Sequence, residues 1–577
     1  MKKLINFIAI ALLASVLSGC EDFLDSKSYT TKDTNSFPLF EDDANMLVNG
    51  VYAMLNVSHA QGINSWLFIA EMVCDDRLGG GGKNDIAGQA IAHLMTTSPD
   101  QFNDFWRDHY RGISRANQAI AALEIMADGP LKSQKIGEVK FLRAFWFFDL
   151  VQLFGDIPLP SQIPESVADV ETPPEQSPQK DVYKAIATDL WDAYNTMPGD
   201  KAGTLLSGTV TKWSAAALLA RVYLFYTGFY GESSLPMTEG EISNAQVVAA
   251  LEDVINNSGH DLLPDFRTLW PYTNEVTQPD YEYAKDAPKW LEGNANKEVM
   301  FSIKYNPNAS GWGSETSVGY SNSVALFFAP RNPRPDSEIF PIGGGWGMGP
   351  VNTRLWDNWP SADPRRIASI YNPAESAEKA EGYTWGADMQ VEETGMWNKK
   401  IVTIAAWNPE KEGDYWSTFW RSSVFGSFGS NDIQTGSGSD LILIRFADVL
   451  LMHSELKKDI AGINKVRERV KLAPIAAYSE DAIRDERHYE LAFEGLRWGD
   501  IRRWGIAADA LDKAYGIPMR NLGVVTTLEP KSPGGMKARY EATKGFFHIP
   551  LTQIDLANGT LTQNAGWGGG DSNFLGY

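Results

Sequence analysis

The sequence predicts a mainly α fold: a helical scaffold with tetratricopeptide-like helix pairs, interrupted by a long loop-rich insertion. Three observations predict it. Between residues 40 and 259, and again from 440 to 504, apolar residues recur at intervals of three and four, the period of a helix with one buried face. Between 265 and 438 that period is lost, and glycine, proline, asparagine and serine accumulate as they do in loops. The chain has 577 residues, enough for an extended scaffold of repeated helical units. The expected segments are a leader at 1–19, an N-terminal scaffold at 20–264, an aromatic insertion at 265–439 and a C-terminal helical region at 440–577.

The leader reads as a bacterial lipoprotein signal. Lys2 and Lys3 form a basic start, Leu4 to Val16 an apolar core too short to span a bilayer, and Leu17, Ser18 and Gly19 lead to Cys20. Cys20 is the expected lipidation site and first residue of the mature protein. Several acyl chains on one cysteine anchor durably, whereas a single chain holds only marginally. Cys74, the other cysteine, then has no intrachain partner and is expected as a small buried apolar residue.

Helices follow in order. Residues 103–126 place Trp106, Tyr110, Ile113, Ile120 and Leu123 on one face, with Asp108, Arg111 and Arg115 elsewhere. Residues 138–154 continue the pattern through Val139, Leu142, Trp146, Val151 and Leu153, and stop at Gly155 with Pro158 beyond. Residues 211–226 set Ala215, Ala216, Ala217 and Ala220 among Trp213, Leu218, Leu219, Val222 and Tyr223, small beside large as close helix packing requires. Inside the insertion, 298–305 is a short β-prone piece. Helices are expected again at 440–456, 463–472 and 479–504, and a strand-like piece at 546–550.

The net charge of −22 repels a long polyanion, which disfavours nucleic-acid binding. After the leader no stretch of about 18 uncharged apolar residues remains. No HExxH, GxSxG or CxxC occurs, GGGGKN at 79–84 lacks the spacing of a phosphate-binding loop, and no two of the seven histidines lie within four residues of each other. No metal ligand and no cofactor are assigned. Acidic loops permit a structural calcium ion, but no EF-hand spacing demands one.

The densest motif is ERHYELAFEGLRWGDIRRWG at 486–505. Glu490 and Glu494 fall one helical turn apart, and paired carboxylates carry acid–base work in glycosidases. An ion-pair network is the stronger reading. Arg487 lies three residues before Glu490, Arg497 three after Glu494 and Arg503 three after Asp500, so each acid has a helical partner of opposite charge. Trp498 and Trp504 are expected in the core.

That block resembles the signature of the SusD/RagB family, surface glycan-binding lipoproteins of Bacteroidetes-type bacteria. Four further stretches match in the family's order: FLRAFWFFDLVQLFGDIPL at 141–159, ILIRFADVLLMHSEL at 442–456, INKVRERVKLAP at 463–474 and FHIPLTQIDLANGTLTQNAGW at 547–567. GWGMGPVNTRLWDNWPSADPRR at 345–366 is similar to a looser family segment. The resemblance implies a SusD-like helical scaffold and a non-catalytic protein at the outer face of the outer membrane. It implies that oligosaccharide or polysaccharide is captured and passed to a SusC-like TonB-dependent transporter. Glu21 and Asp22, after Cys20, are similar to the family's acidic export signal.

A sugar offers a face of C–H groups and a rim of hydroxyls, so a site needs aromatic platforms together with amide, carboxylate or guanidinium groups. In the insertion, which holds 11 of the 19 tryptophans between Trp270 and Trp420, the run 306–322 places Trp312 and Tyr320 among Asn308, Ser310, Ser314 and Ser321. The family's N-terminal region usually contributes a loop, which points to 79–82 with Asn84, Asp85 and Gln89. Trp346 is a weaker candidate because its GWG context belongs to the family segment. Two other functions compete with capture: a surface glycoside hydrolase, and a lid or peptide-binding scaffold of the transporter.

Overall fold

The computed structural model describes residues 37–59, 62–160, 175–275, 277–305, 320–331, 342–378, 383–404 and 437–567, with the short pairing 406–407 and 415–416. Cys20 and Trp312 lie outside the described residues. The N-terminal scaffold comprises α1 (Glu41–His59), α2 (Trp66–Met72), α3 (Ile86–Ala92), α4 (Asn103–Leu123), α5 (Pro130–Phe154), α6 (Gln179–Thr196), α7 (Lys212–Tyr230) and α8 (Asn244–Asn257). Helix packs on helix in near-succession: α1 on α4, α4 on α5, α5 on α6, α6 on α7 and α7 on α8. The mainly α scaffold expected from the apolar period is therefore present. Among the described residues no helix is long and apolar enough to cross a membrane.

Helix α5 is the axis of this stack. It begins at Pro130, earlier than residue 138, because a proline in the first turn is already shaped for a helix and needs no partner for its missing N–H. From 141 to 154 every residue but Arg143 is buried, as a helix apolar on all sides must be. Arg143 donates to both oxygens of Asp189 at 2.7 Å and to Asn117 at 2.7 Å, tying α4, α5 and α6 together. Helix α7 opens with a capping box between Thr211 and Ser214 and closes at Gly231 in the left-handed region. Cys74 is buried as expected, its thiol directed at the Glu71 carbonyl.

The insertion leaves and returns through one seam. Strand β1 (Val299–Ile303) pairs antiparallel with β2 (Leu441–Arg445), so the expected helix at 440 starts only at α12 (Phe446–Lys457). The β-branched residues of LILIR favour the ladder at that point. The insertion also carries short helices α9 (Ser323–Phe328), α10 (Thr353–Asn358) and α11 (Arg365–Ser369), and supplies most of a second core around Trp270, Tyr272, Tyr281 and Trp397, which Leu263 and Val470 complete. Beyond it come α13 (Ala461–Arg469), α14 (Glu480–Leu491), α15 (Arg497–Arg503), α16 (Ala507–Asp512), α17 (Gly535–Thr543) and α18 (Leu551–Leu556). Residues 546–550 form no strand. Trp498 is buried, while Trp504 is half-buried with its indole N–H on Glu455.

The signature is not one helix. The chain turns at Phe493 (φ 68°) and Gly495 (φ 75°), leaving Glu490 in the last turn of α14 and Glu494 beyond it. The ion-pair reading therefore holds in kind but not in its pairs. Only Arg503 and Asp500 meet as the spacing suggests, at 2.8 Å. Arg487 reaches Asp500 at 2.9 Å and Asp448 at 2.8 Å instead of Glu490, and Arg497 crosses to Asp75 at 2.7 Å instead of Glu494. The turn at 492–495 takes Glu494 off the helix and away from Arg497, while Arg487 and Glu490, both within α14, are each drawn to partners on other elements.

Glu490, fully buried, is the hub of a wider lattice. Its carboxylate accepts from Arg445 at 2.6 Å, Arg365 at 3.0 Å and also Arg469. Arg445 bonds Glu494 at 2.6 Å and Glu298 at 2.8 Å, Lys400 bonds Glu494 at 2.7 Å, and Arg365 bonds Glu486 at 2.6 Å. Burial alone would raise the Glu490 carboxyl, but Arg469, Arg445 and Arg365 outweigh it and hold the group well below the carboxylate range.

Breaking one member of such a lattice leaves buried charge unpaired, at a cost of about 3–5 kcal/mol. Glu490→Gln should therefore lower the denaturant midpoint by a shift equivalent to that range, and a change below about 1 kcal/mol would show that the lattice is not needed. A second prediction concerns Glu292, beside the β1–β2 seam, whose carboxyl is pushed up to about 8 by burial and by neighbouring Asp440, against an ordinary value of 4.5. Between those pH values the folded chain keeps a proton that the unfolded chain releases, so this group's contribution to stability is lost as pH rises. The stability of Glu292→Gln relative to the native chain should grow from pH 5 to pH 8. Parallel pH profiles would contradict that assignment.

Candidate functional site

Three loops converge at the outer end of α3, and one guanidinium joins them. Arg331, following α9, donates from Nη1 to Asp85 Oδ2 at 2.8 Å and to the Trp346 carbonyl at 3.1 Å. Its Nε donates to the Asp388 carbonyl at 3.0 Å, and its Nη2 lies 2.9 Å from the Asp388 carboxylate. The 79–85 loop, the Gly345–Gly349 loop and the 386–392 turn are thereby fixed to one another. A bidentate, delocalised cation does this better than an ammonium, since its donors are set in a rigid fork.

Backbone contacts complete the clamp. Gly81 N–H donates to the Gly347 carbonyl at 2.6 Å, Gly349 N–H to Gly79 at 3.0 Å, and Val391 N–H to Gly81 at 2.9 Å. Gln89, from α3, donates its side-chain amide to the carbonyls of Gly80 and Gly82, both at 2.9 Å. Two glycines are needed for this closeness. Gly80 has φ 64°, and a Cβ there would stand 2.4 Å from the Gly347 carbonyl; one on Gly82 would meet Arg331 Nη2 at 2.8 Å. Asp388 and Met389 hold left-handed backbone without being glycine, a strained conformation of the kind that gathers at ligand-contacting turns.

Of the residues expected to touch ligand, Asp85 and Trp346 are joined here through Arg331. Asn84 is exposed next to Asp85. Trp346 is half-buried, one side against the Phe327 ring at 4.6 Å between centroids. Tyr320 is placed differently: it is 8% exposed and belongs to the main hydrophobic core. Arg331 itself was not singled out by sequence, because the arginines of PRNPRP carry no spacing signal. Asp388 and Gln390 were equally silent.

Two other hollows compete. A depression of about 670 Å³ lies between α1, α5 and the 205–209 loop, lined by Asn45, Asn49, Tyr52, Asn56, Gln134 and Lys135. It offers amides, but the Tyr52 hydroxyl is occupied by the Val210 N–H at 2.8 Å. Glu292 and Asp440 line a smaller cavity with Trp270 and Trp290, about 40 Å³ in volume. That volume holds about three waters and no pyranose ring. The Glu490 and Glu494 pair considered for acid–base chemistry sits inside the salt-bridge lattice, its oxygens taken by Arg445, Arg469, Arg365 and Lys400.

Comparison with known proteins places the chain. Residues 283–567 match the family described as "SusD family", and residues 22–224 match one described as "Starch-binding associating with outer membrane". A SusD-like protein of Formosa agariphila is 27% identical over 527 residues, spanning 87% of this chain and 91% of that one. A solved laminarin binding SusD-like protein superposes with a TM-score of 0.68 at 24% identity, covering 92% of this chain and all of the other. Surface glycan-binding protein A from Bacteroides fluxus does so with a TM-score of 0.68 at 23% identity over the same shares. With helical stack, insertion and signature block all in the family's order, the chain belongs to the SusD/RagB family.

Proposed function

We propose that this protein is a non-catalytic glycan-binding lipoprotein, anchored to the outer membrane through Cys20 and facing the cell exterior, that captures oligosaccharide and passes it to a SusC-like TonB-dependent transporter. One observation carries the binding reading: the edge clamped by Arg331, where the half-buried Trp346 and the polar groups of Asn84 and Asp85 stand on immobilised loops. Preorganised loops reduce the ordering cost of binding, and an indole beside amide and carboxylate groups meets both the C–H face and the hydroxyl rim of a sugar. Trp312 remains in the proposed ligand set as an aromatic platform, whereas Tyr320, expected beside it as a ligand contact, packs in the main core. The hydrolase reading has less support, because Glu490 and Glu494, the carboxylate pair it would use, are engaged by Arg445, Arg469, Arg365 and Lys400.

Laminarin is the first polymer to try, since a structural neighbour is named for it. The purified mature chain should be retarded in a laminarin gel and release no reducing sugar, while cells should incorporate labelled palmitate that Cys20→Ser lacks. Reducing-sugar release by the chain alone would establish the hydrolase instead. Asn84→Ala should weaken retention about fivefold or more, near 1 kcal/mol, at an unchanged melting temperature, and Trp346→Ala should weaken it further. Retention that survives both changes and falls in Asn56→Ala would move the site to the depression beside α1.

A further inference from the structure

Deep in the scaffold, far in sequence from the clamped edge, three helices bring together His59 at the end of α1, His109 in α4 and Asp149 in α5. The first two are 50 residues apart, beyond any local ligand spacing. All three are buried, with 1%, 0% and 1% exposure. His109 Nδ1 lies 2.7 Å from the Phe105 carbonyl, which only accepts, so that nitrogen carries a proton. His59 Nδ1 lies 2.7 Å from Ser58 Oγ and 3.2 Å from the Leu55 carbonyl, and it carries the proton when the Ser58 hydroxyl donates to the Met54 carbonyl at 2.9 Å.

Each Nε2 then turns a lone pair inward, toward a carboxylate. His109 Nε2 lies 3.2 Å and His59 Nε2 3.6 Å from the same oxygen, Asp149 Oδ2. His59 Nε2 has no hydrogen-bond partner there. Three electron-rich atoms aimed at one another in an apolar interior repel unless a positive charge sits among them. That charge is a proton or a metal ion.

The geometry fits the metal ion. Zinc bonds of about 2.0–2.2 Å in a tetrahedron set donor atoms roughly 3.3 Å apart. The 3.2 and 3.6 Å separations bracket that value, and the three donor atoms all lie within 4.8 Å of one another. Ring N–H groups donated to carbonyls are the usual outer support of metal-bound histidine. A cavity of about 60 Å³, lined in part by His59 and Asp149, leaves room for a water as fourth donor. We infer that His59, His109 and Asp149 form a buried structural site for a borderline divalent cation of the Zn²⁺ class, locking α1, α4 and α5 together.

The test uses the full mature chain purified without added metal. Elemental mass spectrometry should find about one zinc per chain, and prolonged incubation with a strong chelator should lower the melting temperature by about 5 °C or more, restored by Zn²⁺. Cobalt loaded in its place should show the visible bands of a four-coordinate ion. His59→Gln and Asp149→Asn should each lose the metal; since either variant can misfold, the metal content and cobalt spectrum of the native chain decide alone. Zinc below about a tenth of an equivalent even after Zn²⁺ addition, with no thermal shift and no cobalt bands, would overturn the inference and leave the cluster to protons.

Discussion

One buried carboxylate, that of Glu490, ties together three separate parts of this molecule. Through Arg445 it reaches the strand that closes the insertion, through Arg365 the insertion's own helix, and through Arg469 the helix that follows the seam. Taking so many charges out of water is costly, and the cost is recovered only if every member stays paired. The network therefore does less to add stability than to forbid other arrangements: an insertion packed in a different register would strand Arg365 and Lys400 without acids. This explains why the residues that look most chemical in the sequence are structural.

The fold was legible where one physical signal dominated. The apolar period of residues 103–126 becomes a helix over Asn103–Leu123, and the β-prone piece at 298–305 becomes a strand over Val299–Ile303. The misreadings have a common cause, which is that local pattern cannot see the partner across the fold. The stretch after 440 carries apolar residues at helical spacing, yet its first five pair with β1 because the insertion must close there. Arg487 and Arg497 have acids three residues away and choose Asp500, Asp448 and Asp75 instead: the turn at Phe493 parts Arg497 from Glu494, and Glu490, though on the same helix as Arg487, is taken by arginines from across the fold.

The candidate site was legible in its parts and not in its assembly. Glycines, asparagine and aspartate at 79–85 and the indole at 346 were visible as loop chemistry, but Arg331, the group that joins them, has no sequence signature. The division of labour that results is a scaffold held by apolar packing and buried charge, with a candidate ligand edge held by the Arg331 guanidinium and close glycine backbone.

The most direct test is a crystal structure of the mature chain with a laminarin oligosaccharide. Sugar density along Trp346 and Asn84, with the Arg331 contacts to Asp85 and Asp388 intact, is the result expected. Sugar lodged against Glu490 and Glu494, or in the depression beside α1 with the Arg331 edge bare, would contradict it.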